Sequence, residues 1–412
     1  GRAGRRRLKR TLGLLVAGGT SALVTIAYLV FVARVLGPSE YGEFSAALAF
    51  FYFGALALSP LTPAIARIAA RRVARGDAAS VTLLRQGVVT SLAIALPVAA
   101  VMLLLPLLAT ARALKFQSSV PLLIALASAL TFALLSADRG FLQGLFRFRA
   151  YNGSVLIESF VRLAAAIAIF RVFGQSASGA LIAYLTAIVV AEIFNALLFR
   201  GSQVVSEKVG VDWAELRRMV VPMMALMVAA AAYQNVDMMA VKRWFSPVTA
   251  GEYGAAAAVA KMFGAVFTPL YVLVGPVLTQ HHERGEPLPG PALRIAAIFL
   301  ALSSVGFVLL LFQGEEIVRV LFGEAFTGAA GIAVHLGAIS IMIHTSLLLS
   351  QVFITIQDFR FLRWFAVAAG VQVVGLAMFH ATISEVVMTL YAAQLTLILP
   401  LSLKVARHAR MT

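Results

Sequence analysis

The sequence predicts an all-α integral membrane protein, with twelve transmembrane helices in two six-helix lobes related by a parallel repeat. Three observations carry that prediction. The chain is 61% hydrophobic and only 13% charged, with a mean hydropathy of +0.92, more apolar than the surface of a soluble domain allows. Apolar windows of about 20 residues, long enough to cross a bilayer, recur along the whole chain. A stretch near the start is written again, in one register, half a chain later.

The windows lie at 12–33, 44–66, 87–110, 120–142, 151–172, 179–199, 219–241, 253–276, 293–313, 330–353, 364–382 and 386–404. The start "GRAGRRRLKR" reads as a basic tail before the first span and not as a signal peptide, because no small-residue cleavage site and soluble domain follow. Between the first two spans lies "ARVLGPSEYGEFSAALAF", Ala33 to Phe50. Its Gly37-Pro38 ends one helix, since proline cannot continue it, and Glu43 before the aromatic Phe44 starts the next at the interface. "SPLTP", Ser59 to Pro63, interrupts the second span, and "TPLYVLVGP", Thr268 to Pro276, interrupts the eighth.

With the N-terminus in the cytoplasm, most of the 34 lysines and arginines fall on inner segments. They gather in the first tail and near 67–85, 139–149, 200–218, 284–294, 360–363 and 404–410. That agrees with the positive-inside rule and puts both termini in the cytoplasm. The net charge of +16 then reflects topology and anionic lipid head groups, not nucleic acid. The chain has no cysteine, so a disulfide framework and a cysteine-ligated metal site are both excluded.

The register that sets Arg34 on Arg243 also sets Pro38 on Pro247, Gly42 on Gly251, Glu43 on Glu252, Pro60 on Pro269, Arg75 on Arg284 and Gly76 on Gly285. Six spans per copy means that both halves run in the same direction, a parallel repeat about an axis along the membrane normal. The expected lobes are 1–206, with spans one to six, and 207–412, with spans seven to twelve. Pro60, Pro63, Pro269 and Pro276 mark kinked helices at matching places, a pattern that points to a transport site at the repeat interface. The plainer reading is that proline is common in membrane helices.

The first break, together with "LQGLFRFRAYN" (Leu142 to Asn152), "VDMMAVKRWFSPVTAGEYGAAAAVAKMF" (Val236 to Phe263) and "VRVLFGEAFTGAAG" (Val318 to Gly331), resembles the polysaccharide and oligosaccharide flippase branch of the multidrug/oligosaccharidyl-lipid/polysaccharide (MOP) exporter superfamily. The resemblance covers nearly the whole chain. Leu36, Gly37, Gly42 and Phe44 match the family pattern at the first outer turn, while the second copy has Phe245 and Ser246 in place of Leu-Gly. The resemblance implies a two-lobed alternating-access transporter in the cytoplasmic membrane that moves undecaprenyl-pyrophosphate-linked oligosaccharide repeat units outward for cell-surface polysaccharide assembly. It implies no cofactor beyond coupling to H+ or Na+. The implied partners are membrane lipids and the polysaccharide polymerase or glycosyltransferases of the same pathway. Twelve spans count against the fourteen-span peptidoglycan-precursor flippases.

Five charges fall inside spans, where each costs at least about 2.5–3.5 kcal/mol at mid-helix. Glu158 and Arg162 lie four apart and share a helix face. They read either as a neutralised structural pair or, through Arg162, as part of an anion site near the midplane, the planar guanidinium fork being suited to phosphate. Lys261 either snorkels to the surface or lines the cavity as a compact hydrated charge for a pyrophosphate. Arg67, at the inner mouth, completes the expected substrate-binding set. Asp237 either pairs with Lys242 or Arg243 or joins Glu158 and Glu192 as a coupling and gating acid, through protonation or Na+ binding.

Other constellations are weak. Asp138 and Arg139 read as an interfacial ion pair. His281 and His282 are neighbours whose side chains diverge on a helix, so no metal site is expected, and His335 and His344 do not share a face. There is no GxxxxGK[ST] loop to cradle a nucleotide. The leading function is a flippase for an anionic lipid-linked saccharide, which needs cavity cations. The alternative is a proton- or Na+-coupled multidrug or cation exporter, which needs cavity acids. A polyprenyl-phosphate-dependent membrane transferase comes last, because the inner loops scatter Asp77, Glu207, Asp212 and Glu215 among basic residues with no metal-binding pair. The chain is therefore not expected to be an enzyme.

Overall fold

The structure, a computed structural model, describes the backbone of residues 2–75, 78–200, 213–284 and 286–411. Side chains of 1–12, 201–216 and most of 263–283 lie outside the description. The described chain is all helical: α1 (Arg2–Leu58), α2 (Leu61–Ala74), α3 (Ala78–Ala113), α4 (Val120–Gly144), α5 (Phe148–Phe173), α6 (Ala177–Phe199), α7 (Trp213–Trp244), α8 (Pro247–Glu283), α9 (Pro289–Phe322), α10 (Ala329–Thr355), α11 (Leu362–Met378) and α12 (Ile383–Met411). Each expected span falls on a described helix, the first two on α1 and α2 together, but α5 and α8, which carry the fifth and eighth, are not among the described stretches that are long and apolar enough to cross a membrane. Among the described residues, nine stretches are long and apolar enough to cross a membrane, with α1 and α2 counted together. The protein is a multi-pass membrane protein.

The first two expected spans share α1, because the turn between them is a single residue. Gly37, at φ 69° and ψ 174°, is the one non-helical position inside α1. Such backbone is open almost only to glycine. Pro38 then takes the first position of the next helical run, where its missing N–H costs nothing. The chain leaves helix again at Ser59 and Pro60, the first two residues of "SPLTP", which separate α1 from α2. By contrast α8 keeps helical backbone through residues 269 and 276; the side chains of Pro269 and Pro276 lie outside the description.

Contacts divide the chain into two units. The first holds Gly1–Tyr28 and Ala47–Ala231, and the second Leu29–Ala46 and Ala232–Thr412. The expected boundary at 206/207 falls outside the described residues. In the first unit α4 is central, packed on α2, α3 and α6, with α5 against α6. In the second, α10 is central, packed on α8, α9 and α12, with α11 against α12. Under the register that sets Gly42 on Gly251, these are the same helix pairs, so each unit repeats one packing plan.

Small residues make the central contacts close, as membrane helices require where lipid gives no hydrophobic drive to associate. A Cβ on Gly140 would stand 2.8 Å from the Thr62 carbonyl, and one on Gly144 only 2.5 Å from Ala69 Cβ. The buried face Ala64, Ile65, Ile68 and Ala69 of α2 fills this seam. Gly144→Val is therefore expected to overpack it and to destabilise the first unit by about 1–3 kcal/mol, read as a lower melting temperature in detergent.

The α10–α11 connection is pinned from α12. Lys404 Nζ donates to Asp358 Oδ2 at 2.6 Å and lies 4.5 Å from the centre of the Phe353 ring. The Lys404 hydrogen bond holds the Asp358 carboxyl below the usual carboxylate range. A carboxyl depressed in the folded state stabilises it above the unfolded pKa, and the gain disappears as pH falls through the folded pKa. Asp358→Asn should thus melt lower than the parent at neutral pH, by no more than about 1 kcal/mol for so exposed a pair. The two melting curves should converge in acid.

Candidate functional site

In the first unit six charged side chains on four helices form two clusters; Asp138, Arg139, Glu158 and Arg162 are buried, and Arg85 and Glu192 half-buried. On α5, Glu158 and Arg162 stack one turn apart and form an ion pair between Oε1 and Nη2. Glu158 Oε2 also takes Arg139 Nη2 from α4 at 2.9 Å, and Arg139 is steadied by Ser154, donating to its Oγ at 3.1 Å and its carbonyl at 3.0 Å. One carboxylate thus sits between two guanidinium groups, which leaves one formal positive charge.

Arg162, only 4% exposed, is caged by aromatic rings and hydroxyls. Its guanidinium stands 3.9 Å from the centre of the Tyr184 ring and 6.0 Å from that of Tyr28. Nη1 donates to Thr25 Oγ1 at 3.2 Å, and the Tyr52 and Tyr184 hydroxyls meet at 3.1 Å. Arg162 Nε has no hydrogen-bond partner among the described residues.

The second cluster has the opposite balance. Arg85 of α3 grips Asp138 of α4 with both arms, Nε to Oδ1 at 2.8 Å and Nη2 to Oδ2 at 2.5 Å, and its guanidinium lies 4.1 Å from the centre of the Phe199 ring. Glu192 of α6 faces Asp138. Two acids to one cation leave one formal negative charge here. Glu192 Oε2 and both amide atoms of Asn195, one turn further along α6, are buried without a partner among the described residues. Asp138 and Arg139 do not pair with each other as the sequence suggested, because adjacent helical residues point about 100° apart; each reaches a different helix.

In the second unit Asp237 of α7 is 6% exposed. Its Oδ2 accepts from the Tyr253 hydroxyl of α8 at 2.6 Å, while Oδ1 has no partner among the described residues. Lys261, about 21 Å along α8 from Pro247 at 1.5 Å per residue, turns its ammonium to Asn235 Oδ1 at 3.2 Å and is close enough to act on the charge of Asp237. It is half-buried and bonded to α7. The Asp237–Lys242 pairing weighed from sequence is not formed: Lys242 Nζ instead donates to Glu43 Oε1 at 3.0 Å.

Of the expected substrate-binding residues, Arg162 lies in the first unit and Lys261 in the second, while Arg67 is exposed on α2. Glu158 belongs to Arg162, Glu192 to the Asp138 cluster and Asp237 to Tyr253. Pro60 is buried at the α1–α2 break and Pro63 exposed in the first turn of α2. Arg85, Arg139 and the tyrosine cage were missed from sequence. The signal was there for Arg139, which sits beside an acid at the end of a span yet cannot reach it.

A family model described as "Polysaccharide biosynthesis protein" matches residues 8–282. No curated protein matches the chain. Among solved structures, the chain is similar to an inward-facing conformation of a multidrug resistance MATE family transporter of the MOP superfamily, 14% identical with a TM-score of 0.77 over 98% of this chain and 99% of that one. It is also similar to the lipid II flippase MurJ in an inward closed conformation, 13% identical with a TM-score of 0.72 over 95% of this chain and 87% of that one. A third is a MOP superfamily transporter from Pyrococcus furiosus, described by a reversed polarity of its binding pocket, 16% identical with a TM-score of 0.58 over 97% and 96%. At such identities the likeness is one of fold. The fold is that of these transporters and of this flippase.

Proposed function

Because the chain belongs to the polysaccharide biosynthesis protein family, whose model spans residues 8–282, we propose that it is a flippase for an undecaprenyl-pyrophosphate-linked oligosaccharide repeat unit. In this reading it works in the cytoplasmic membrane with both termini in the cytoplasm, an orientation that the distribution of basic residues favours, and feeds cell-surface polysaccharide assembly by the polymerase or glycosyltransferases of the same pathway.

The observation that carries this reading, beyond family membership, is the cation excess around Glu158. Two guanidinium groups share one carboxylate, and Arg162 Nε is still open, so the cluster attracts an anion without a new charge having to be buried. Lys261 supplies a hydrated point charge that follows a pyrophosphate without fixed geometry. Arg67, exposed on α2, meets the head group first. Asp237 and Glu192 are the coupling acids, each with a buried carboxylate oxygen open to a proton or Na+.

Binding of undecaprenyl pyrophosphate to the purified protein tests the reading. Lys261→Gln is expected to weaken binding at least tenfold, and Glu192→Gln to leave it within twofold. The same open acids favour the second reading, a coupled exporter of organic cations. That reading takes over if the lipid does not bind while a cationic dye does and Glu192→Gln or Asp237→Asn abolishes the dye's binding.

A further inference from the structure

The end of the second unit where α11 starts and α12 finishes is strongly basic. Between residues 353 and 367 and between 400 and 412 the only acid is Asp358, against Arg360, Arg363, Lys404, Arg407 and Arg410. Asp358 is already engaged: Lys404 Nζ donates to its Oδ2 at 2.6 Å and the Arg360 N–H to its Oδ1 at 3.1 Å. Arg360, Arg363 and Arg407 are exposed. Trp364 ties the basic groups of the two helices into one patch, with the Arg363 guanidinium 5.0 Å from the centre of its ring and Lys404 Nζ, from α12, 5.5 Å from it. Arg407 follows Lys404 by three residues and so lies one turn further along the same side of α12.

Hydrocarbon begins where the arginines end. On α11, Arg363, Val367, Val374 and Met378 recur at helical intervals and share one exposed face. On α12, which packs against α11, Leu395, Leu399, Leu403 and Arg407 recur every four residues and are exposed as well. Each helix thus presents an apolar stripe that finishes in a guanidinium group.

We propose that this end of α11 and α12 is a binding site for an anionic phospholipid of the phosphatidylglycerol kind. Its phosphate lies on Arg363 and Arg407 with Arg360 beside it, Trp364 supports the glycerol region, and the acyl chains follow the two stripes. The inference rests on the chain being a membrane protein and not on what it transports.

The chemistry selects both halves of this ligand. A guanidinium fork can give a phosphate two hydrogen bonds at once, tryptophan settles at head-group level, and basic pockets between membrane helices suit acidic head groups. A soluble phosphate or an acidic protein would meet the arginines and leave the stripes uncovered. A zwitterionic lipid would cover the stripes, but its phosphate already has an ammonium group of its own to pair with.

The patch is also built once. The α4–α5 turn of the first unit has the same backbone as the α10–α11 turn: Phe146 and Gln357 stand at φ 57° and 56°, and the next N–H bonds back to a helix carbonyl, Arg147 to Leu142 and Asp358 to Phe353, each at 2.9 Å. Counting on equally from Phe146 and Gln357, the first unit has Asn152 and Gly153 where the second has Arg363 and Trp364. A general attraction of basic residues for an anionic surface would not need a tryptophan touched by cations from two helices. A site does.

The test uses the purified full chain in a neutral detergent, with phosphatidylglycerol as the probe and the melting temperature as the readout. Phosphatidylglycerol is expected to raise the melting temperature to a plateau, phosphatidylcholine with the same chains to raise it by at most about a third as much, and glycerol 1-phosphate not to raise it. Arg363→Gln combined with Arg407→Gln is expected to raise the half-saturating phosphatidylglycerol concentration at least tenfold, whereas Arg149→Gln, at the corresponding turn of the first unit, leaves it within twofold. A second measurement needs no variant: a phosphatidylglycerol with a photoreactive acyl chain is expected to label residues 363–378 or 388–407 of the parent chain above all others. Equal shifts from the two lipids, an equal shift from glycerol 1-phosphate, equal losses in the double variant and in Arg149→Gln, or label spread evenly over the lipid-facing helices, overturns the site. If undecaprenyl pyrophosphate does not bind while phosphatidylglycerol does, the substrate reading fails and the phospholipid site stands.

Discussion

Glu158→Ala is expected to be the most damaging single truncation in the first unit, more so than Arg162→Ala. Removing Glu158 leaves two buried guanidinium groups, Arg139 and Arg162, without their shared carboxylate. Breaking a buried pair in this way costs about 3–5 kcal/mol. Removing Arg162 leaves Arg139 and Glu158 as a neutral pair, and the loss is mostly that of the packing on Tyr184. Thermal melting of the purified variants should rank them in that order. Glu158→Gln combined with Arg162→Gln should recover much of the loss, because only the Arg139 charge then remains. Transport should rank them differently: Arg162→Gln should insert and melt close to the parent and yet move little substrate, which separates a head-group role from a structural one.

Gly251→Ala carries the second large effect. Its methyl group would lie 1.8 Å from the Pro38 carbonyl, well inside contact distance, so Leu29–Ala46 must lift from α8. Overpacking of this kind costs about 1–3 kcal/mol, occasionally more. Gly42→Ala meets backbone at 2.8 Å and should cost less. Melting temperatures in one detergent, with Gly331→Ala as a control that meets nothing within 4 Å, check the order.

The spans were legible because the bilayer sets their length and the apolar windows have no competing explanation. Helix ends were less so: α3 runs Ala78–Ala113 around a window expected at 87–110, since a helix continues past the hydrocarbon into polar residues that no apolar window registers. The break at Gly37-Pro38 was read from the sequence, but not that one residue suffices to make it, nor that the helix resumes at Pro38 and not at Glu43. The proline pair was legible as sequence and unequal as structure, with the helix broken at Ser59–Pro60 and continuous at residues 269 and 276. Membrane helices keep a proline when neighbours satisfy the freed carbonyl.

The site was half legible. A charge inside a span announces itself, so Glu158, Arg162, Glu192, Asp237 and Lys261 were all found. Their partners were not, because pairing between helices depends on which faces meet, and sequence separation hides that. Arg139 is nineteen positions from Glu158, and Glu43 is a whole half-chain from Lys242. The helix rule for i and i+4 found the one local pair and was silent on the rest.

The most direct measurement of the central claim is made in liposomes holding the purified protein and a fluorescent polyprenyl-pyrophosphate saccharide. The quantity followed is the fraction of the lipid that a membrane-impermeant quencher can reach over time. The account predicts that protein drives lipid from the protected to the reachable leaflet, and that Arg162→Gln and Lys261→Gln slow this at least tenfold. Lipid that stays protected, while a cationic dye crosses the same vesicles under a proton gradient, would contradict it and make the acids rather than the bases the working site.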